Sequence, residues 1–225
     1  MLLHKLREAI AILRKEIRLD GIVEMDGMYV GGHVRPANEK EKRVDTRLAE
    51  NKSGKRRAVI TMRERDLKTG RTLSAAAPEE RRDIAWHLVK HHVAREAIVC
   101  ADDHKAYDEL RGLNELRRNN HSKAYVTSKA ASTNMAESHF SRLRRAEIGI
   151  HHRISGKYLD WYAADVAWRD DGRRVEFHLL HRKVLASALG HPISRDMAGY
   201  WQRTGKRNTP LVAWNPLDEM VVERR

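Results

Sequence analysis

The chain has a single cysteine, Cys100, among its 225 residues. One thiol can form no disulfide within the chain, and it cannot build a cysteine-based zinc module. No apolar run approaches the roughly 20 residues that a membrane-spanning helix needs, and residues 1–7 lack the uninterrupted apolar core of a signal peptide. We therefore expect a cytoplasmic protein, with no membrane partner, in which Cys100 is a buried thiol.

Acidic residues are scarce relative to basic ones. The chain has 31 Asp and Glu against 44 Lys and Arg, which gives a formal charge of +13 and a pI near 10.1. Such a balance favours a polyanionic partner, and nucleic acid is the leading candidate. With 41% hydrophobic and 33% charged residues, the chain fits a soluble globular protein with one catalytic-size domain.

The order of the patterns divides the chain into three parts. Residues 1–20 form an N-terminal helix, because apolar side chains recur there at helical spacing. Residues 21–175 carry the strands and helices of the predicted catalytic domain. Residues 176–225 are predicted to be a helix followed by an irregular tail, which has three of the five prolines and no clean periodicity.

Residues 22–30 form a predicted strand that has a carboxylate in the middle of an apolar run. Because strand side chains alternate between faces, Glu24 and Asp26 share one face with apolar neighbours. An unpaired carboxylate is disfavoured there, and the remedies are a cationic partner, hydrogen-bond donors or a metal ion. Asp26 is therefore a candidate site residue. The equally open alternative is an edge-strand aspartate that faces solvent or pairs with an arginine.

Further elements follow along the chain. The turn chemistry of residues 66–70 predicts a hairpin, and the apolar run 96–103 predicts a buried strand that ends in Asp102 and Asp103. The complete set, in chain order, is strands at 57–65 and 71–77, a helix from Pro78 to about 93, the strand at 96–103, a helix at 105–113, a strand near 122–126 and a helix from about 134 to 146.

The helix at about 134–146 has a core stripe of apolar residues and, beside it, a stripe with Asn134 and Glu137. Glu137 borders the buried face, where its carboxylate can point toward a sheet. Arg142, Arg144 and Arg145 give the helix a basic flank. The alternative is that Asn134 is an ordinary cap and that Glu137 is favoured only by the helix dipole.

The order of strands and helices is that of the ribonuclease-H-like fold, an α/β fold with a mixed sheet flanked by helices. In that fold the acidic residues lie in the middle of the first strand, at the tip of the fourth strand and on a late helix. Asp26, Asp102 and Glu137 occupy these places here. Hydrolysis or transfer at a phosphodiester uses two divalent ions about 3.5–4 Å apart, which carboxylate oxygens hold.

The sequence resembles insertion-sequence transposases of the DDE type, in the ISXO-like branch, over about residues 5–175. The matching motifs are Val23-Glu24-Met25-Asp26 followed by Tyr29-Val30-Gly31-Gly32; Ala101-Asp102 with Tyr107; Thr133-Asn134-Met135-Ala136-Glu137-Ser138 with the segment 140–145; and the segment 149–155 with Tyr158-Leu159. Each motif is weak alone, but four in the right order make chance agreement improbable.

The resemblance implies a transposase that cleaves DNA and transfers strands of an insertion sequence. Asp26 and Asp102 would be catalytic, metal-binding aspartates, and Glu137 would be the third acid. Asn134 is a secondary candidate for the third role, and Asp103 is the rival of Asp102. The implied cofactors are two Mg²⁺ or Mn²⁺ ions.

The implied partners are the DNA of the element ends and of the target, with a homo-oligomer assembled on that DNA. Arg142, Arg144 and Arg145 would contact DNA phosphates. Relatives carry an N-terminal recognition region, whereas here only the helix at about 2–17 precedes the first strand. Two alternatives therefore stay open: a truncated, inactive DNA-binding remnant, and a ribonuclease-H-like nuclease that does not transpose.

Overall fold

The computed structural model describes residues 2–32, 36–45, 48, 51, 54–66, 70–119 and 132–191. Its centre is a five-stranded sheet in the order β3-β2-β1-β4-β5. The strands are β1 Ile22–Val30, β2 Arg57–Glu64, β3 Thr72–Ala77, β4 Ile98–Asp102 and β5 Glu115–Asn119. The pairs β1–β2 and β2–β3 are antiparallel, whereas β1–β4 and β4–β5 are parallel.

Helices cover both faces of this mixed sheet, which confirms the α/β, ribonuclease-H-like prediction. The helices are α1 Leu2–Arg14, α2 Arg82–His92, α3 Asn134–Arg145, α4 Leu159–Asp171 and α5 Phe177–Gly190. A 3-10 helix covers Lys105–Gly112, and a π-helical turn, Ala146–Ile150, follows α3 directly. None of the helices in these described ranges is both long and apolar enough to cross a membrane.

The alternation of β1 decides which helix covers which face. Val23 and Met25 belong to the core that contains Leu88 of α2. Met28, on the other face, packs with Phe140 of α3 and with α4. Burying one such side chain contributes about 1.5–3 kcal/mol to the stability of the fold. The alternation of apolar residues along β1 therefore fixes which face of the strand packs against α2 and which packs against α3 and α4. Asp26 lies on the α3 face of the sheet because its position alternates in step with that of Met28.

Helix α1 docks on α4 through a nearly buried ion pair. The Arg7 Nε donates to Asp165 Oδ2 at 3.1 Å, and both side chains are less than one-tenth exposed. The same guanidinium lies 4.1 Å from the ring centroid of Tyr162. The predicted N-terminal amphipathic helix is therefore present and packs on the rest of the described fold.

The structure differs from the prediction at the start of α2 and at the fifth strand. The helix expected from Pro78 begins at Arg82, because Arg81 is still extended with φ −115° and ψ 154°. The strand expected near 122–126 lies outside the described residues, and the fifth strand is Glu115–Asn119. That strand is rich in charge, as suits an edge strand, so apolar periodicity does not reveal it.

Candidate active site

Asp26 and Asp102 lie side by side at one edge of the parallel strands β1 and β4. Met25 pairs with Ala101, so each aspartate is one residue beyond that pair. The register also pairs Glu24 with Cys100, and alternation therefore gives Asp26 and Asp102 the same face. The chain turns away here, because Asp102 ends β4 and its Oδ1 accepts a hydrogen bond from the His104 amide at 3.1 Å.

The carboxylate of Asp26 has a strongly perturbed proton affinity. Burial is the largest cause that raises its pKa, and together with the negative charges of Asp102, Glu80 and Glu137 it brings the pKa to about 7. A hydrogen bond from the Gly27 amide to Oδ1, 2.8 Å long, opposes this shift. Carboxylates from four separate parts of the chain thus act on each other at this edge of the sheet.

Glu137 reaches the site from the first turn of α3. Its side chain is exposed, and its Oε1 accepts a hydrogen bond from the Thr133 hydroxyl at 3.2 Å. Asn134, one turn earlier, is exposed at the start of the same helix. The negative charge of Glu137 is one of the causes that raise the pKa of Asp26.

Asp103 lies beside an arginine at the surface. Its Oδ1 lies 3.6 Å from Arg118 Nη2, and its side chain is 60% exposed. Asp102, in contrast, raises the pKa of Asp26. The geometry therefore groups Asp102, and not Asp103, with Asp26.

Glu80 is a fourth carboxylate at the site, and the sequence analysis did not single it out. Its side chain is only 7% exposed and accepts a hydrogen bond from the Tyr107 hydroxyl. A Cβ at position 27 would clash with the Glu80 carboxyl, so the glycine permits this close approach. Burial and the charge of Glu80 raise the pKa of Tyr107 well above its usual value.

The sequence offered one signal for this contact, which is the glycine directly after the buried aspartate. The partner could not be deduced, because it depends on how residues 78–81 cross the end of the sheet before α2 begins. The extended backbone of Arg81 carries Glu80 over Gly27. A helix that starts at Pro78, as predicted, would instead place Glu80 in its first turn.

The three arginines of α3 differ in their surroundings. Arg142 donates to the buried Asp170 at 3.1 Å, and its side chain is only 26% exposed. Burial lowers the pKa of Arg142, although Asp170 opposes that shift. Arg144 and Arg145 are exposed, and Arg145 Nε donates to the Ser141 carbonyl at 3.2 Å. Arg144 and Arg145 are thus the two that face solvent.

A buried polar network lies behind α3. The Nδ1 of His139 lies 3.0 Å from Asp170 Oδ2, and its Nε2 lies 3.0 Å from Ser74 Oγ. This is the order of a hydrolase triad, but all three residues are buried, so no substrate reaches them. Burial would raise the pKa of Asp170, yet His139, Arg63 and Arg142 lower it to about 2. The network is structural and ties α3 to β3 and α4.

The donor set at the candidate site suits a hard divalent cation, because all four groups are carboxylates and their mutual repulsion favours a counter-charge. Within the described ranges, no three His, Cys, Asp or Glu side chains are grouped closely enough to hold a metal ion as they stand. The residues therefore fit such an ion in chemistry, and the carboxylates would have to close on it.

The sequence model described as the ISXO2-like transposase domain matches residues 18–171, a range that contains every carboxylate of the candidate site. A search of curated proteins found no match.

Proposed function

This chain belongs to the ISXO2-like transposase family, and on that premise we propose that its carboxylate site cleaves DNA strands and joins the freed ends to a target. The observation that carries the proposal is the grouping of carboxylates around the partly buried Asp26: strand register places Asp102 at the matching position of β4, Glu80 lies against Gly27, and these charges together with burial and Glu137 raise the pKa of Asp26. A structural aspartate gains nothing from such neighbours. A site that recruits cations needs them, because the repulsion is relieved when a cation binds.

Asp26, Asp102 and Glu137 would hold two Mg²⁺ or Mn²⁺ ions, with Asn134 as a secondary candidate on α3. Such ions activate the attacking oxygen and stabilise the leaving oxygen. Strands β1 and β4 fix the two aspartates through the parallel pairing of Met25 with Ala101. Helix α3 would supply the third acid, Glu137, from its first turn.

The proposed reaction has two balanced steps. In the first, water attacks a phosphorus at the element end, the bond to the 3′ oxygen breaks, and that oxygen takes up a proton. In the second, the freed 3′ hydroxyl attacks a target phosphodiester and displaces a target 3′ oxygen, which takes up the proton that the attacking hydroxyl loses. A nuclease that does not transpose would stop after the first step.

DNA would lie across the basic surface beside this site. The chain has a formal charge of +13, and the exposed Arg144 and Arg145 lie on the helix that carries Glu137. Contacts to phosphates release counterions, so binding should weaken steeply as salt increases.

The substitution Asp26→Asn tests the proposal. It keeps the shape of the side chain but removes the charge, so Mn²⁺-dependent cleavage of a plasmid that carries the element and its flanks should fall at least about 100-fold. DNA binding should persist, because the phosphate contacts are untouched. Asp103→Asn is the matched control, since Asp103 is adjacent to Asp102 but faces Arg118, and it should keep most activity.

Two further measurements separate the alternatives. Calorimetric titration with Mn²⁺ should show binding to the parent protein and none to Asp26→Asn, whereas an inactive remnant would show no binding to either. Sequencing of plasmid junctions detects strand joining, and cleavage without joining would indicate a nuclease. Unchanged cleavage by Asp26→Asn would exclude the assignment of this site.

A further inference from the structure

Glu24 is a buried carboxylate whose two oxygens both have partners. It lies on β1 two residues before Asp26 and is 1% exposed. Its Oε1 accepts a hydrogen bond from Arg65 Nε at 2.8 Å. Its Oε2 accepts from the backbone amides of Met135 at 2.6 Å and Ala136 at 3.3 Å. These amides belong to the first turn of α3.

The first turn of α3 needs such an acceptor. The first amides of a helix have no partner inside the helix, and Thr133 at the cap position makes no side-chain cap hydrogen bond. Glu24 supplies the missing acceptor from the neighbouring strand. Its negative charge also lies at the positive end of the helix dipole, which strengthens the contact.

Arg65 extends this connection to the segment that enters α3. Its Nη2 donates to the Ser132 carbonyl at 3.0 Å, while its Nε holds Glu24. Glu24 and Arg65 together therefore hold both the chain before α3 and the first amides within it. These hydrogen bonds fix the position of the start of α3 relative to β1.

We propose that Glu24 is a positioning residue that fixes Glu137 relative to Asp26. Two residues along a strand span only about 7 Å, and Ala136 is the residue directly before Glu137, so a short series of bonds joins the two acids through Glu24. The oxygens of Glu24 are engaged by Arg65 and by the amides of α3, so we assign it a positioning role and not a metal-ligating one. This inference rests on the proposed function of the carboxylate site.

The substitution Glu24→Gln tests this role. Glutamine has one acceptor oxygen and one amide donor, so a donor must face either Arg65 or the amides of α3. Loss of a group that orients metal ligands costs about 10–100-fold in metal affinity or activity. We expect the Mn²⁺ dissociation constant from calorimetric titration to rise at least about tenfold. The Mn²⁺ concentration for half-maximal cleavage should rise in parallel, with unchanged affinity for DNA.

Glu64→Gln is the matched control. Glu64 is also nearly buried and likewise combines arginine with backbone amides, because it pairs with Arg71 and accepts from the amides of Asp20 at 2.8 Å and of Arg71 at 2.9 Å. Those contacts hold the β2–β3 hairpin and the start of β1, away from α3. Glu64→Gln should lower the Tm as Glu24→Gln does, but it should leave the Mn²⁺ dependence unchanged.

Glu24→Asp gives a second variant that keeps the charge and shortens the side chain by one methylene. It should fold and should show a smaller increase in the half-maximal Mn²⁺ concentration than Glu24→Gln. Equal Mn²⁺ dependence in the Glu24 variants and the Glu64 control would overturn the inference. That result is distinct from failure of the proposed function, which is detected separately as unchanged cleavage by Asp26→Asn.

Discussion

Asp26 and Asp160 are buried aspartates whose pKa values are both raised to about 7, but for different reasons. At Asp26, three other carboxylates add to the effect of burial. At Asp160, burial alone raises the pKa, and a hydrogen bond from the Ala76 amide together with the charge of Lys15 lowers it. A bound cation can relieve the repulsion between Asp26 and the other carboxylates. Asp160 lies at the start of α4, where burial of its charged form only lowers the stability of the fold.

The substitution Asp160→Asn should stabilise the protein above neutral pH. The unfolded chain releases this proton near pH 3.8, whereas the folded protein keeps it until about pH 7. The free energy of unfolding of the parent protein therefore falls as the pH rises between these values, and does not fall further above them. Asparagine replaces the neutral acid in shape and in hydrogen bonding, so it should remove this slope.

Denaturant unfolding at pH 5 and at pH 8 measures the effect. The expected gain from Asp160→Asn is about 1–3 kcal/mol at pH 8 and smaller at pH 5, where the parent carboxyl is protonated in the folded state. Asp108→Asn is the control, since Asp108 is exposed beside Arg118 and should contribute less than about 1 kcal/mol. An unchanged pH slope in Asp160→Asn would contradict the interpretation.

Helix α3 is held at two separate points along its length. Glu24 holds its first amides, and the network of His139 and Arg142 with Asp170 of α4 holds its middle. Asp170 also accepts from Arg63 of β2 at 2.6 Å. The helix that carries Glu137 is therefore fixed against strand, sheet and neighbouring helix, as a site with acids from distant elements requires.

The substitution Asp170→Asn should strongly destabilise the fold. It removes the negative charge between Arg63 and Arg142, and leaving buried charges without a partner costs about 3–5 kcal/mol. The pKa of Asp170 is lowered to about 2, so its stabilising effect is present above pH 4 and is lost as the pH falls from about 4 to 2. Thermal unfolding at pH 7 and at pH 3 tests this prediction. The Tm of the variant should lie further below that of the parent protein at pH 7 than at pH 3.

The elements themselves were predictable to different degrees. Short apolar runs predicted β1 and β4, and the turn chemistry of residues 66–70 predicted the β2–β3 hairpin, because these signals are local in the sequence. The 3.6-residue spacing likewise indicated α3, whose Ala136, Phe140 and Leu143 are buried as expected. The start of α2 was wrong, because the extended segment before it is fixed by the contact of Glu80 with Tyr107 and Gly27.

For the whole molecule, the dominant property is its positive charge. The sequence predicts that all three arginines at the end of α3 contact DNA, but in the fold they have different surroundings. Arg142 is held by Asp170 and is only partly exposed, whereas Arg144 and Arg145 are exposed. The two groups should therefore differ in what they contribute to DNA binding.

Arg144→Gln and Arg145→Gln should each weaken binding to a labelled DNA duplex and reduce the slope of log affinity against log salt by about one. Arg142→Gln should instead lower the Tm, because it removes a partner of Asp170, and leave the salt slope nearly unchanged. Fluorescence anisotropy across a series of salt concentrations measures the slopes. Equal salt slopes for all three variants would contradict the distinction between Arg142 and the two exposed arginines.

The sequence by itself determined the mixed sheet, the family and the placement of the candidate acids on β1, β4 and α3, because these depend on local periodicity and on motifs in a fixed order. Only the tertiary structure decided that Asp102 rather than Asp103 faces Asp26, that Glu80 joins them over Gly27, and that Glu24 holds the first turn of α3. Those facts depend on strand register and on contacts between residues more than fifty positions apart, which no local pattern encodes.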